Sequence, residues 1–177
     1  ARAVLDAAAE AAAWGGERSA RDGHGTGIGV ARYKNAAAYA AVLVQLRVDD
    51  ASAAIALERI IIAADCGEVV DPSGAANQLE GGALQSASWT LKEAVAYDGE
   101  SVTSLDWETY PILRFSEVPA IETVLLDRPG QAFLGVGEAT QGPTAAAIAN
   151  AVFDATGLRL RDTPFTPERV RDAALRG

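Results

Sequence analysis

Two neighbouring segments restrict the fold of this chain more than any other feature. Residues 39–49 set Val42, Val44, Leu46 and Val48 against Leu43, Gln45, Arg47 and Asp49. That period of two belongs to a strand with one face on a core, because successive strand side chains point to opposite sides. Residues 57–64 follow as a run of Ile, Leu and Ala with Arg59 inside it, the composition of a more fully buried strand. Residues 27–34 and 121–126 read as further strands, and residues 95–97 and 102–105 flank Asp98-Gly99, a hairpin signal. A sheet must therefore form, and the rest of the chain has to cover it.

The covering elements are helical. Residues 2–14 are Ala-rich and stop at Gly15-Gly16, and residues 18–29 read as a charged, glycine-rich loop. Asp65-Cys66-Gly67 and Asp71-Pro72-Ser73-Gly74 read as turns, after which residues 75–92 take a helical pattern. Residues 144–156 place Ile148 and Val152 four apart and end at Gly157. Residues 167–175 form a last helix, with Thr166 as N-cap and Pro167 in the first turn. Strands and helices alternate without a regular βαβ rhythm. The expectation is an α+β fold, a mixed or antiparallel sheet with helices on one face.

Composition excludes several functions. A net charge of −9, with Lys and Arg scattered apart from Arg159, Arg161 and Arg169, does not make a nucleic-acid surface. One cysteine, Cys66, cannot build a disulfide framework or ligate an iron–sulfur cluster. One histidine, His24, argues against a zinc site or a Ser-His-Asp triad. No apolar run reaches the roughly 20 residues of a membrane span. The start, Ala1-Arg2-Ala3-Val4-Leu5, has a helix pattern without a cleavage site. With no Met anywhere, the chain is expected to begin inside a longer protein.

Chemistry then has to run on carboxylates, backbone groups or a cofactor. Gln78, Gly81, Gly82 and Gln85 fall at i, i+3, i+4 and i+7 and share a helix face. Each interior glycine costs about 1 kcal/mol relative to Ala, so that face calls either for tight packing or for a ligand close to the backbone. Gly135-Val136-Gly137-Glu138 precedes Gln141-Gly142-Pro143-Thr144 and a helix, which holds a carboxylate on a permissive loop beside a helix start. Taken singly, it reads equally as a structural turn. His24-Gly25-Thr26-Gly27-Ile28-Gly29 precedes a strand and opens no helix, so it reads as a flexible loop with His24 exposed, not as a dinucleotide loop. Cys66 reads as a small core or turn residue, and Asp106, Glu108 and Glu117 as a polar loop.

Two of these segments, in order, carry a resemblance. Asp65-Cys66-Gly67-Glu68-Val69-Val70-Asp71-Pro72, then Asn77-Gln78-Leu79-Glu80-Gly81-Gly82, and some sixty residues later Phe133 to Glu138, resemble the late molybdopterin-contacting part of the xanthine dehydrogenase/aldehyde oxidase family. The branch it is most similar to is the isoquinoline 1-oxidoreductase and nicotinate dehydrogenase type of large subunit. The resemblance implies the second molybdopterin-binding domain of a molybdenum hydroxylase, residues 1–177 being its C-terminal portion within a longer subunit. It implies Glu138 as the general base in hydroxylation of an N-heteroaromatic or aldehyde carbon with water-derived oxygen. Gln78, Gly81, Gly82, Gly135, Val136 and Gly137 would contact the cofactor, and no side chain here is expected as a metal ligand. The implied cofactor is molybdopterin, in its cytosine dinucleotide form, with molybdenum. Iron–sulfur clusters are expected on a partner subunit or domain, and the upstream region of the large subunit is expected to complete the site. Asp71 and Ser86 depart from the family pattern, which often has Asn and Gly there. Alone, the chain is expected to be inactive and prone to self-association. The compartment is not legible; cytoplasm is favoured and periplasm open. The competing reading is a noncatalytic assembly or ligand-binding module that docks on a partner chain.

Overall fold

The computed structural model describes residues 1–15 and 23–176. Gly16 and the 18–22 part of the expected loop lie outside the described residues. The first helix, α1 (Arg2–Ala11), ends earlier than its alanines suggest, because Ala13 (φ 50°) and Gly15 (φ 102°) take left-handed conformations. Strands β1 (His24–Arg32), β2 (Tyr39–Val48) and β3 (Ile55–Asp65) form an antiparallel meander. Helix α2 (Pro72–Leu91) and a long connection then return the chain to β4 (Ala120–Leu125), which pairs parallel to β3 from Arg59↔Ala120 onward. Helices α3 (Gln141–Thr156) and α4 (Pro167–Arg176) complete the α+β fold.

The sheet is covered on both faces. Val42, Val44, Leu46, Ile60 and Ile62 meet Leu79, Ala83 and Ala87 of α2 and Ala147, Ile148, Ala151 and Val152 of α3. On the other face Val4 and Ala8 of α1 pack on Ala41 and Ala63. This corrects the expectation of helices on one face alone. Leu43 and Ile61, on the side away from α2, are fully buried and need a cover of their own. Arg59 belongs to that side too. Its guanidinium donates to the Ala11 carbonyl (3.3 Å) and pairs with Glu122, which explains a cation within an apolar run.

The strand read over residues 27–34 starts earlier, at His24, so residues 24–26 of the expected loop are strand as well. Gly25, Gly27 and Gly29 lie on one face of β1, and α3 rests directly on their backbone. A Cβ at Gly25 would stand 2.1 Å from the Ala151 carbonyl oxygen. At Gly27 it would stand 2.2 Å from the Ala147 oxygen and the Ala151 nitrogen, and at Gly29 2.2 Å from the Pro143 oxygen. The contacts advance two residues on the strand for each four on the helix. Those steps measure about 6.6 Å and about 6.0 Å, so the elements stay in phase for the three glycines. The outer edge of β1 is closed by α3 as well: Asp154 Oδ2 accepts the Thr26 N–H (2.9 Å) and Asn150 Nδ2 donates to the Ile28 carbonyl (2.9 Å). His24 is half-buried and pairs with Glu58 at 3.1 Å, not exposed as expected. The hairpin around Asp98-Gly99 shrinks to a single bridge, Tyr97↔Val102, because no third strand supports it.

Gly27→Ala is expected to lower stability by about 3 kcal/mol or more, since the added methyl meets backbone that cannot rotate away. Urea denaturation of the variant measures this; an unchanged midpoint would overturn the close contact.

Candidate active site at the α2–α3 junction

Asp71 caps α2: its Oδ1 accepts the Gly74 N–H (3.0 Å), and Pro72 occupies the first turn without a donor to lose. The helix therefore starts at Pro72, where the sequence pattern suggested a turn. Upstream, the Asp65-Cys66-Gly67 corner holds the segment that leads to Glu138. The Cys66 carbonyl accepts the Leu134 N–H (2.7 Å) and the Gly67 carbonyl the Arg128 N–H (3.1 Å), while Arg128 Nε pairs with Asp65 (3.0 Å). Gly67 has φ +75°, and a Cβ there would stand 2.1 Å from the Ala132 oxygen, so only glycine suits the corner. Burial, then the Asp65 charge, pushes the Cys66 thiol up, away from a reactive thiolate. Thus the turn that precedes α2 also docks the glycine loop.

Two rungs then join α2 to that loop and to the first residue of α3. Gln78 Nε2 donates to the Gly137 carbonyl (2.9 Å), and Gln141 Nε2 donates to Gln85 Oε1 (2.7 Å). Between them the buried Thr140 donates its hydroxyl to the Leu79 carbonyl (2.8 Å), and Ser86 donates to the Gln141 carbonyl (2.6 Å). Glu138 sits next to this junction with its carboxylate exposed; Oε2 accepts the Tyr33 hydroxyl at 3.0 Å. Tyr33 arrives from the β1–β2 connection, so three separate parts of the chain meet at Glu138.

The structure brings Gln78, Gly137 and Glu138 together and separates the two α2 glycines by role. Gly82 points inward, where a Cβ would stand 2.7 Å from Thr140 Oγ1. Its glycine is required by helix packing. Gly81 faces open space, as does Gly135, and Val136 packs at the core margin. Helix α3 begins at Gln141, two residues before Pro143, and the Glu138 carbonyl accepts the Gln141 N–H (3.3 Å). That donor is therefore not free for an anion. Tyr33 and Thr140 are the members that the sequence pattern did not single out, and Gln141 entered it only as part of a helix start. Tyr33 carries no local signal, because its partner lies 105 residues away.

Elsewhere the acidic groups have local partners. Asp106 accepts from the Glu108 and Thr109 N–H groups, and Glu117 from Lys92 and the Arg114 N–H. Burial raises the Glu117 carboxyl, but the Lys92 and Arg114 hydrogen bonds outweigh it and hold the carboxyl below its ordinary value. Among the described residues no group of three or more His, Cys, Asp or Glu side chains could hold a metal ion. What the junction offers is a seam of amides and open glycines beside one carboxylate. Open Cβ positions at Gly81 and Gly135 leave room for a flat group to lie against backbone, and the Gln side chains supply donors and acceptors. The residues present fit a cofactor held by hydrogen bonds and close backbone approach.

Both sheet faces are covered, and an amide-and-glycine seam lies beside a carboxylate on an α+β frame. The family model of the molybdopterin cofactor-binding domain matches residues 4–119, and the chain belongs to that family, as the molybdopterin-binding region of the xanthine dehydrogenase/aldehyde oxidase type. The match ends before the Glu138 loop. The chain is similar to one of the subunits of nicotinate dehydrogenase from Pseudomonas putida, 44% identical over 159 residues, 86% of this chain and 13% of that protein. It is similar also to the beta subunit of isoquinoline 1-oxidoreductase from Brevundimonas diminuta, 32% identical over 165 residues, 93% of this chain and 21% of that protein. Among solved structures, quinoline 2-oxidoreductase from Pseudomonas putida 86 superposes with a TM-score of 0.73 at 26% identity, over 78% of this chain and 19% of that one. For aldehyde oxidoreductase from Desulfovibrio gigas the values are 0.68, 26%, 77% and 15%. The chain thus spans about a fifth or less of the length of these relatives.

The two α2 glycines give opposite expectations. Gly82→Ala should lower stability by about 1–3 kcal/mol through its clash with Thr140. Gly81→Ala should raise it by about 0.5–1 kcal/mol, since the methyl meets nothing and a helix-interior glycine is removed. Thermal melts of the pair measure both, and equal effects would refute the division.

Proposed function

We propose that this chain supplies the general base, Glu138, of a molybdenum hydroxylase that oxidises an N-heteroaromatic or aldehyde carbon with oxygen from water. The observation that carries the reading is the Gln78–Gly137 hydrogen bond, which ties the α2 segment of the family resemblance to the residue just before Glu138. Gln78, Gly81, Gly135, Val136 and Gly137 are proposed to border the cofactor. Gly82 would act indirectly, by letting Thr140 seat the loop. When bound, molybdopterin with its molybdenum supplies two-electron redox chemistry, and its cytosine dinucleotide form is the one proposed. This chain's part is to orient and to take a proton. Oε2 of Glu138 is engaged by Tyr33, while Oε1 has no hydrogen-bond partner among the described residues and is the atom proposed to accept it.

The rest of the larger subunit is proposed to cover the remaining sides of the cofactor, and a partner subunit or domain to carry iron–sulfur clusters. Large apolar side chains support such a neighbour: Phe115 is 99% exposed, Leu105 80% and Trp107 75%. No helix among the described residues is long and apolar enough to cross a membrane. The same exposed residues are what favours the second reading, a noncatalytic module that docks on a partner chain.

In the complete enzyme, Glu138→Gln is expected to reduce turnover by about 10²–10⁴-fold, the usual contribution of a positioned base, with molybdenum content unchanged by elemental analysis. Normal turnover would remove the base assignment and leave the docking reading. By itself the chain is expected to self-associate in light scattering, and Phe115→Ser with Trp107→Ser should shift it towards monomer. A monodisperse monomer with both aromatics intact would count against a covered surface.

A further inference from the structure

We infer that Tyr33 is the positioning residue of the site: its hydroxyl pins one carboxylate oxygen of Glu138 and so decides which oxygen is free to take a proton. The inference rests on the proposed role of Glu138. An exposed glutamate has three side-chain torsions and, unrestrained, samples many rotamers. Here the hydroxyl of Tyr33 donates to Oε2 at 3.0 Å, within hydrogen-bond distance, and holds the carboxylate towards the β1–β2 connection. Fixing Oε2 leaves Oε1 as the open acceptor and sets the direction it faces.

The donor is itself held. Tyr33 N–H donates to the Ala38 carbonyl (2.8 Å), and the Tyr33 carbonyl accepts the Ala37 N–H (2.9 Å), so both of its peptide groups are tied within the β1–β2 connection. Its ring packs at the margin of the main core. The next two residues, Lys34 (φ 49°) and Asn35 (φ 58°), are left-handed without being glycine. Two such residues in succession are unfavourable and persist only where the surroundings over-determine them. The connection closes on Tyr33 and aims it across the end of the sheet at a residue 105 positions later. From the opposite side, the Gln78 bond to the Gly137 carbonyl stops the Glu138 backbone from drifting. Carboxylate and backbone are thus held by two different elements, the arrangement that a base acting at one atom needs.

Tyr33→Phe removes one oxygen and keeps the ring. In the ¹³C-labelled 177-residue chain, the Glu138 Cδ resonance is expected to move and broaden in Tyr33→Phe and to stay in place in Tyr97→Phe, whose ring is largely exposed. In the complete enzyme Tyr33→Phe should lower kcat about tenfold to a hundredfold while KM changes less than about twofold, since orientation and not binding is lost. An unmoved resonance overturns the inference, and so does a moved resonance with unchanged kcat, because the hydrogen bond would then do nothing for the reaction. The Glu138→Gln enzyme separates the two ideas. If it turns over normally, the base assignment fails while the resonance still tests the hydrogen bond; if it is inactive and Tyr33→Phe is normal, the base stands and the positioning role falls.

Discussion

Backbone-to-backbone contact between β1 and α3 is the constraint on which the rest of the molecule depends. Side chains normally hold a helix about 10 Å from a sheet; three glycines in alternate positions remove that spacer and let the Ala147 and Ala151 peptides come down onto the strand. Little apolar area is gained per residue, but the position of the helix becomes unusually definite, because hard backbone atoms meet and no rotamer can absorb an error. Asp154 and Asn150 add direction by bonding the strand's free edge. Since α3 starts at Gln141, its placement also fixes Thr140 and, two residues earlier, Glu138.

The site inherits that definition from one side and receives it from two others. Gly82 allows Thr140 to reach the Leu79 carbonyl, which ties α2 to the residue that precedes α3. The Cys66-Gly67 corner anchors the incoming loop through its carbonyls, and Tyr33 reaches in from the sheet. Along the seam itself the donors and acceptors are neutral amides, hydroxyls and peptide groups, with Glu138 as the charged member. Such a surface suits a large cofactor bound through amides and peptide groups.

Much of the framework was legible because it is written in local periods. The alternation of residues 39–49, the Ile-rich run after it, Gly157 as a helix stop and Thr166-Pro167 as a helix start all depend on near neighbours, and all correspond to elements found. The α1 cover was not legible, since Leu43 and Ile61 looked like ordinary members of their strands. The glycine run 24–29 read as loop up to Gly27, where a strand was expected to begin, because glycine weakens an isolated strand; the meaning of Gly25, Gly27 and Gly29 lies in Ala147, Ala151 and Ala155, more than a hundred residues away. Matching a period of two in glycine with a period of four in alanine was the available signal. Of the site, Gln78 and Glu138 were visible through their motifs, while Tyr33 was not, because a single tyrosine after a strand has no pattern to mark it.

The strand–helix contact also bears on how sequences of this kind can change over time. Its two steps differ by about 0.6 Å, so phase is kept across three glycines and would be lost across many more. A single-residue insertion or deletion within either element would put a side chain where a peptide has to sit, at every contact beyond it. Changes of length are therefore expected in the connections, above all in the stretch between α2 and β4. Within β1 and α3 the contact leaves room for substitution but not for a change of length, and at the three glycines a side chain would meet backbone.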